Sequence, residues 1–182
     1  AEMRTSCRRT PSISAAMMQS PMPPSSRMSL IKAEALHADV LAGLHAQCFD
    51  RGWTSKSVLE LIAMPGALAL LAMLAPVQPV GFVMVRRAAD VSEIITLGVI
   101  EPHRRAGFAT RLVMEAGKLL AGQGARTLHI EVAQSNTPAM KLYETLGFQR
   151  TGRRQNYYAC NDGSREDAVT MMSPLPIAPP QV

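Results

Sequence analysis

Apolar positions along the chain change period several times, and each change marks an element. "SLIKAE" (residues 29–34) reads as a first strand. Residues 37–49 carry Val40, Leu41, Leu44 and Cys48 at helical spacing, and 54–63 repeat the pattern with Thr54 or Ser55 as cap. Strands are predicted near 67–74, 79–87 and 91–100, the last two joined by a loop near "RAAD". A long helix occupies about 106–122, with Phe108, Leu112, Ala116, Leu119 and Leu120 on its apolar side and Gly122 and Gly124 at its end. In "RTLHIEVA", Leu128, Ile130 and Val132 face one way and His129 and Glu131 the other. "NTPAMKLYETLGF" is a compact helix with Thr137 as cap, Pro138 at the first helical position and Gly147 at the end. Strands around "QRTGRRQNYYA" and "EDAVTMMS" close the body. The order predicts an α/β fold whose mixed, mostly antiparallel central sheet is flanked by helices, with a strand–helix–strand unit in the middle.

From Leu61 to Val85 there is no charge, a stretch long enough to span a bilayer. Pro65, Gly66, Pro76, Gln78 and Pro79 divide it, so two buried strands joined by a Pro-containing turn are expected. Residues 1–28, rich in Ser, Met, Pro and Arg, read as a disordered extension. Their composition resembles a transit peptide and equally fits an extension upstream of a start at Met28. The last nine residues, 174–182, read as a disordered extended tail. One domain is therefore expected over 29–173, and neither end is expected to carry chemistry.

Composition narrows the function classes. A length of 182 residues with 47% hydrophobic residues suits one soluble core. The formal charge is +5, but residues 1–28 alone hold four Arg and one Glu. The body is therefore nearly neutral, and no direct nucleic-acid binding is expected. Cys7, Cys48 and Cys160 are odd in number and widely spaced, which fits a reducing, cytoplasmic compartment. Neither they nor the four His residues show metal-ligand spacing, so no metal is expected.

The chemistry is expected at "RRAGFAT", residues 104–110. It lies where a strand's carboxyl end meets a helix start, a place with free N–H groups and partial positive charge. Acids would ordinarily be favoured there, yet the segment carries Arg104 and Arg105. An anion such as a pyrophosphate between them resolves the conflict, with Gly107 allowing close backbone approach and Ala106 and Ala109 leaving room. A solvated Arg pair is the plainer alternative. The chain has no GxxxxGK[ST] and no GxGxxG.

Arg104-x-x-Gly107-x-Ala109 resembles the [QR]-x-x-G-x-[GA] acyl-coenzyme A motif of the GNAT N-acetyltransferases. The likeness continues through "LHIEV", "SNTPAMKLYETLGF" and "GRRQNYY…DGSREDAVTM". Those last segments are similar to the branch that acetylates the N-terminal alanine of a small-subunit ribosomal protein. The resemblance implies a GNAT fold, acetyl-CoA as cosubstrate and a protein N-terminal peptide as acceptor, without membrane attachment. Leu97, Gly98 and Val99 would offer backbone groups to the cosubstrate's arm, and Asn136 would hydrogen-bond it. Arg104, Arg105, Ala106, Gly107, Phe108, Ala109 and Thr110 would hold its phosphates, mainly through main-chain N–H groups. Glu131 would be the general base and Tyr143 the general acid. Read without the resemblance, Leu97, Val99, Phe108 and Tyr143 are core residues, Asn136 is a cap, and Glu131 is bridged to a nearby Arg. An acetyltransferase for another N-terminus, a lysine or a small amine is the nearer rival, and a non-catalytic acetyl-CoA-binding module the more distant one.

Overall fold

The computed structural model describes residues 28–75, 77–159 and 163–178. The expectations for residues 1–27 and 179–182, and for Cys7 and Cys160, lie outside the described residues. Among the described residues the chain runs β1 (Met28–Ala33), α1 (Ala38–Cys48), α2 (Ser55–Ile62), β2 (Ala67–Leu74), β3 (Gln78–Ala88) and β4 (Val91–Val99). It continues with α3 (Phe108–Gly122), β5 (Thr127–Ala133), α4 (Thr137–Thr145), β6 (Gln149–Ala159) and β7 (Arg165–Pro174). The seven strands form one sheet in the order β1-β2-β3-β4-β5-β7-β6. All neighbours are antiparallel except β4 and β5, which are joined through α3.

The uncharged run 61–85 is explained by burial on both faces. Leu68, Leu70, Ala72 and Val83 pack in a core with α3 and α4, while Ala69, Leu71, Phe82 and Met84 pack with α1 and α2. Strands covered on both faces read as continuous apolar stretches. No helix among the described residues is long and apolar enough to cross a membrane. On β5 the alternation holds: Leu128, Ile130 and Val132 are buried at 0%, 9% and 4% exposure, whereas His129 and Glu131 are half-buried on the other side.

Local chemistry sets the helix starts. Thr54 caps α2 by accepting the Ser57 N–H at 3.1 Å. For α4 the cap is Asn136, not Thr137. Its Oδ1 accepts the Ala139 N–H at 3.1 Å, which places Thr137 and Pro138 in the first two helical positions. Both Asn and Thr cap well, but the residue whose backbone leaves the helical region takes the role. Leu119, placed on the apolar side of α3 by its spacing, is exposed at 36%. The buried face is completed instead by Val113 and Gly117.

The boundary expected after residue 173 falls inside β7, and the packed body extends further. The Leu175 N–H donates to the Arg126 C=O at 2.8 Å. Ile177 is buried against α3, where Gly117 leaves room for its side chain. A Pro-rich ending need not be free when two of its apolar residues find a helix groove. A fully buried aliphatic side chain contributes about 1.5–3 kcal/mol. Ending the chain after Ser173 should therefore lower the melting temperature by several degrees, whereas ending it after Ala178 should not. Equal melting curves for the two truncations would show that the segment contributes nothing.

Candidate active site

The parallel ladder between β4 and β5 is short. It pairs Val91, Ser92 and Glu93 with Thr127, Leu128 and His129 and then stops. One cause lies on the β3 side of β4. Between Met84 and Val85 the register shifts, so that Ile95 is an extra residue in β4. Such a bulge bends a strand and increases its twist.

The bulge, rather than Gly98, is the local irregularity of this strand. Gly98 has a different cause: a Cβ there would lie 2.7 Å from the Phe82 ring and 3.0 Å from the Cys48 sulfur. It is required by the packing of α1 beneath the sheet. The Ile100 N–H donates to the Val80 C=O at 3.0 Å, and Gly98 pairs with Phe82. Alternation along an antiparallel pair therefore turns the backbone of Gly98 toward β3 and that of Leu97 and Val99 toward the parted β5. This gives the opening polar main-chain groups in an otherwise apolar strand.

The opening leads to the strand–helix junction. Arg105 has φ 66° and Gly107 φ 81°. The left-handed conformation is natural for Gly107 but strained for Arg105, and such strain concentrates at functional sites. Gly107 is the N-cap of α3, without a side-chain cap bond and without an acid in the first turn. The first helical bond runs from the Arg111 N–H to the Gly107 C=O at 3.1 Å. The N–H groups of Phe108, Ala109 and Thr110 consequently have no acceptor within the helix. Nothing lies within 4 Å of a Cβ built on Gly107, so the space above the turn is open. This donor set suits a phosphate.

The two arginines have different settings. Arg104 donates from Nε to the Val99 C=O at 3.0 Å and lies beside the Cys48 thiol. Its side chain is thereby committed to the end of β4. Arg105 is exposed beside the helix start. Phe108 is buried at 6% and belongs to the core under α3, while Ala106 is exposed and Ala109 and Thr110 are half-buried. Burial pushes the Cys48 thiol up, and the adjacent Arg104 partly opposes this.

Glu131 lines the β5 side. Its carboxylate accepts from Arg154 Nε at 2.8 Å, so the bridge to a nearby Arg is present. Tyr143 is buried at 3% beside Phe148, with ring centroids 5.2 Å apart. Burial, and then the neighbouring Tyr158, raises the Tyr143 phenol well above its ordinary range, so it holds its proton at every physiological pH. Tyr158 is the residue that sequence reasoning passed over. Its hydroxyl donates to the Glu131 C=O at 2.9 Å, linking Tyr143's surroundings to the catalytic strand. Three residues of β6, Gln155 to Tyr157, oppose the single Asp167 of β7, and this bulge brings Tyr158 into place. Asp167 holds the bulge through the Asn156 N–H at 2.7 Å and through Arg153, and both keep its carboxyl below the usual range. The doubled Tyr of "NYY" was the available signal. Asn136 caps α4 through Oδ1, which leaves its amide nitrogen as the group available to a ligand.

The pattern that defines the acetyltransferase (GNAT) family matches residues 39–148. The chain belongs to this family. Among GNAT relatives, the ribosomal protein bS18-alanine N-acetyltransferase of Haemophilus ducreyi is 38% identical over 92 residues, covering 50% of this chain and 63% of that protein. The chain thus spans less than two thirds of that relative. The crystal structure of the ribosomal-protein-S18-alanine N-acetyltransferase from Escherichia coli superposes with a TM-score of 0.75 at 24% identity, covering 86% of this chain and 99% of that one. The Arabidopsis thaliana NAA60 complex with acetyl-CoA gives a TM-score of 0.72 at 21% identity, covering 81% and 98%. These two likenesses establish the GNAT fold, including its mixed sheet.

On the α1–α2 side, His45 is buried at 3% and stacks between Phe49 and Trp53, with centroids 4.4 and 4.3 Å away. The Trp53 N–H donates to His45 Nδ1 at 3.2 Å, so the imidazole serves this loop in its neutral form. Burial lowers its pKa from 6.5 to about 4. The folded value lies below the unfolded one, so protonation favours the unfolded chain. Stability is complete above about pH 6.5 and is lost as pH falls through about 4, by about 3 kcal/mol at most. Denaturation of wild type and His45→Gln between pH 6.5 and 4 should show this slope only in the wild type. A slope of equal size in the variant would assign it to other groups.

Proposed function

We propose that the protein is an acetyl-CoA-dependent N-α-acetyltransferase whose acceptor is a protein N-terminus. The observation that carries this is that the main-chain groups of Leu97 and the N–H of Val99 turn toward the parted β5, and the chain then leads to the open N-terminus of α3. Acetyl-CoA offers what the path asks for: an amide-containing arm for strand backbone, and a pyrophosphate for the N–H groups at residues 108–110. The Haemophilus ducreyi relative's name supports the N-terminal alanine of a small-subunit ribosomal protein as acceptor. That acceptor places the reaction in the cytoplasm.

The chemistry needs no covalent enzyme intermediate. The neutral amine attacks the thioester carbonyl, forming the C–N bond, and the C–S bond then breaks. The proton leaving the amine nitrogen goes to Glu131, directly or through a water. The Val99 N–H, turned into the opening, stabilises the developing oxyanion. The departing thiolate takes its proton from Tyr143. A thiol has an ordinary pKa of about 8.5, so transfer from the raised Tyr143 phenol is uphill. Tyr143 therefore acts first as a hydrogen-bond donor to the developing sulfur charge; as it passes that proton to the departing thiolate, the proton taken up by Glu131 returns to the phenol through water.

An α-amine, with a pKa of about 7.7–8.0, is roughly one tenth neutral at pH 7, whereas a lysine at about 10.4 is almost wholly protonated. Modest help from Glu131 thus suffices for the N-α reaction. Glu131→Gln should reduce kcat by about 10²–10⁴ at pH 7 and by less as pH rises. Tyr143→Phe should lower kcat with little change in acetyl-CoA affinity. Mass spectrometry should find acetyl on a free N-terminal Ala peptide but not on the same peptide with that amine blocked and a Lys left free. Comparable modification of the blocked peptide would replace this reading with a lysine acetyltransferase.

The cosubstrate half of the proposal has its own test. At about 100 times its dissociation constant, acetyl-CoA should stabilise the wild type by about 2.7 kcal/mol. Gly107→Glu, which places bulk and negative charge in the open space, should abolish that gain. Equal ligand-induced thermal shifts in the two proteins would remove the phosphate site from residues 104–110.

A further inference from the structure

We propose that Arg154 is the resting counter-ion of Glu131 and is displaced at each turnover by the ammonium group of the incoming acceptor. The inference rests on the reading of Glu131 as the proton acceptor. It makes Arg154 a positioning residue that governs acceptor entry.

The geometry of the pair is unequal. The Glu131 side chain is sheltered, with 13% exposure, while that of Arg154 is 60% exposed, and a contact of 2.8 Å joins Nε to Oε1. A sheltered carboxylate needs a cation near it, and an exposed guanidinium gives up little on leaving. Arg153, next in the chain, is bound differently: both its Nε and a terminal nitrogen hold Asp167. Arg150 is paired with Glu144 at 2.9 Å. Of the three arginines on β6, Arg154 is the one placed on the candidate base.

Arg154 already has a second contact that does not depend on Glu131. Its guanidinium carbon lies 5.5 Å from the centroid of the Tyr157 ring, within the range of a cation–π contact that can hold it when the carboxylate is taken. The strand that carries it is the sheet edge, and its register breaks immediately after Arg154. Letting go of Glu131 while staying on Tyr157 therefore breaks no sheet pairing. By register, Glu93 of β4 and His129 of β5 share the face of Glu131, and neither is a fixed cation that would replace Arg154.

The acceptor supplies the replacing charge. Most α-amines arrive protonated at pH 7, so substrate and Arg154 compete for one carboxylate. The ammonium that wins gives its first proton to Glu131, which passes it to solvent; the neutral amine that remains attacks, and Glu131 takes the second proton as the amide forms. Arg154 returns once the neutral amide product leaves.

Steady-state kinetics with a free N-terminal Ala peptide test the exchange. Arg154→Met should lower the acceptor KM about 1.4- to 5-fold, the range for release of an exposed pair. The kcat and the acetyl-CoA KM should be unchanged. Arg154→Lys, which keeps a competing cation, should remain near wild type. In a Glu131→Gln background, Arg154→Met should leave the acceptor KM where it was. An unchanged or raised acceptor KM in Arg154→Met would overturn the exchange, as would an equal fall in the Glu131→Gln background. Undiminished kcat in Glu131→Gln alone would instead remove the base reading, and the KM ratios would still decide whether the two cations compete.

Discussion

The parting of β4 from β5 is the constraint on which the rest of the molecule depends. A sheet ordinarily satisfies the backbone of every inner strand through its neighbours, and leaving such groups unpaired is costly. Here the pairing ends at Glu93 and His129. The protein manages this opening with several separate devices. The bulge at Ile95 turns β4, Arg104 takes up the Val99 C=O, and Tyr158 takes up the Glu131 C=O. What remains are polar main-chain groups facing a gap, the feature on which the proposed cosubstrate site rests.

The same constraint explains why the two halves of the sheet carry different chemistry. The half from β1 to β4 is packed on both faces and holds almost no charge near its centre. In the half formed by β5, β7 and β6, Glu131 and Arg154 share one face by register, while Arg153 and Asp167 pair on the side of Val169. The paired charges thus lie in this half of the sheet rather than in the doubly covered one, and one pair, Glu131 with Arg154, reaches the β5 side of the opening. Arg104 ties the end of β4 through the Val99 C=O.

Much of this was legible in the residues. Periodicity located the strands and helices because core-facing positions repeat every second or every third to fourth residue, as in Leu128, Ile130 and Val132 of β5. Gly107 could be read because only glycine takes its left-handed turn without strain and with open space above it. At Gly98 a missing Cβ signals a close approach but not from which side, and here it is Phe82 and Cys48 that come near. The cap of α4 and the packing of Ile177 escaped because neighbouring residue types permit either answer and tertiary contacts decide. Arg104's orientation and the Tyr158 contact depend on strand register, which local pattern does not specify.

The parted strands have one more consequence. Amides in the middle of a sheet are ordinarily among the last to exchange with heavy water, because their bonds open only when the domain does. Leu97 and Val99 sit in a central strand, yet their N–H groups point into the gap and meet no strand partner. In the free protein they should exchange rapidly while Gly98 between them, paired with Phe82, exchanges slowly. Once the gap is filled, the contrast between neighbours should vanish. Isotope exchange at three consecutive residues thus offers a label-free record of occupancy.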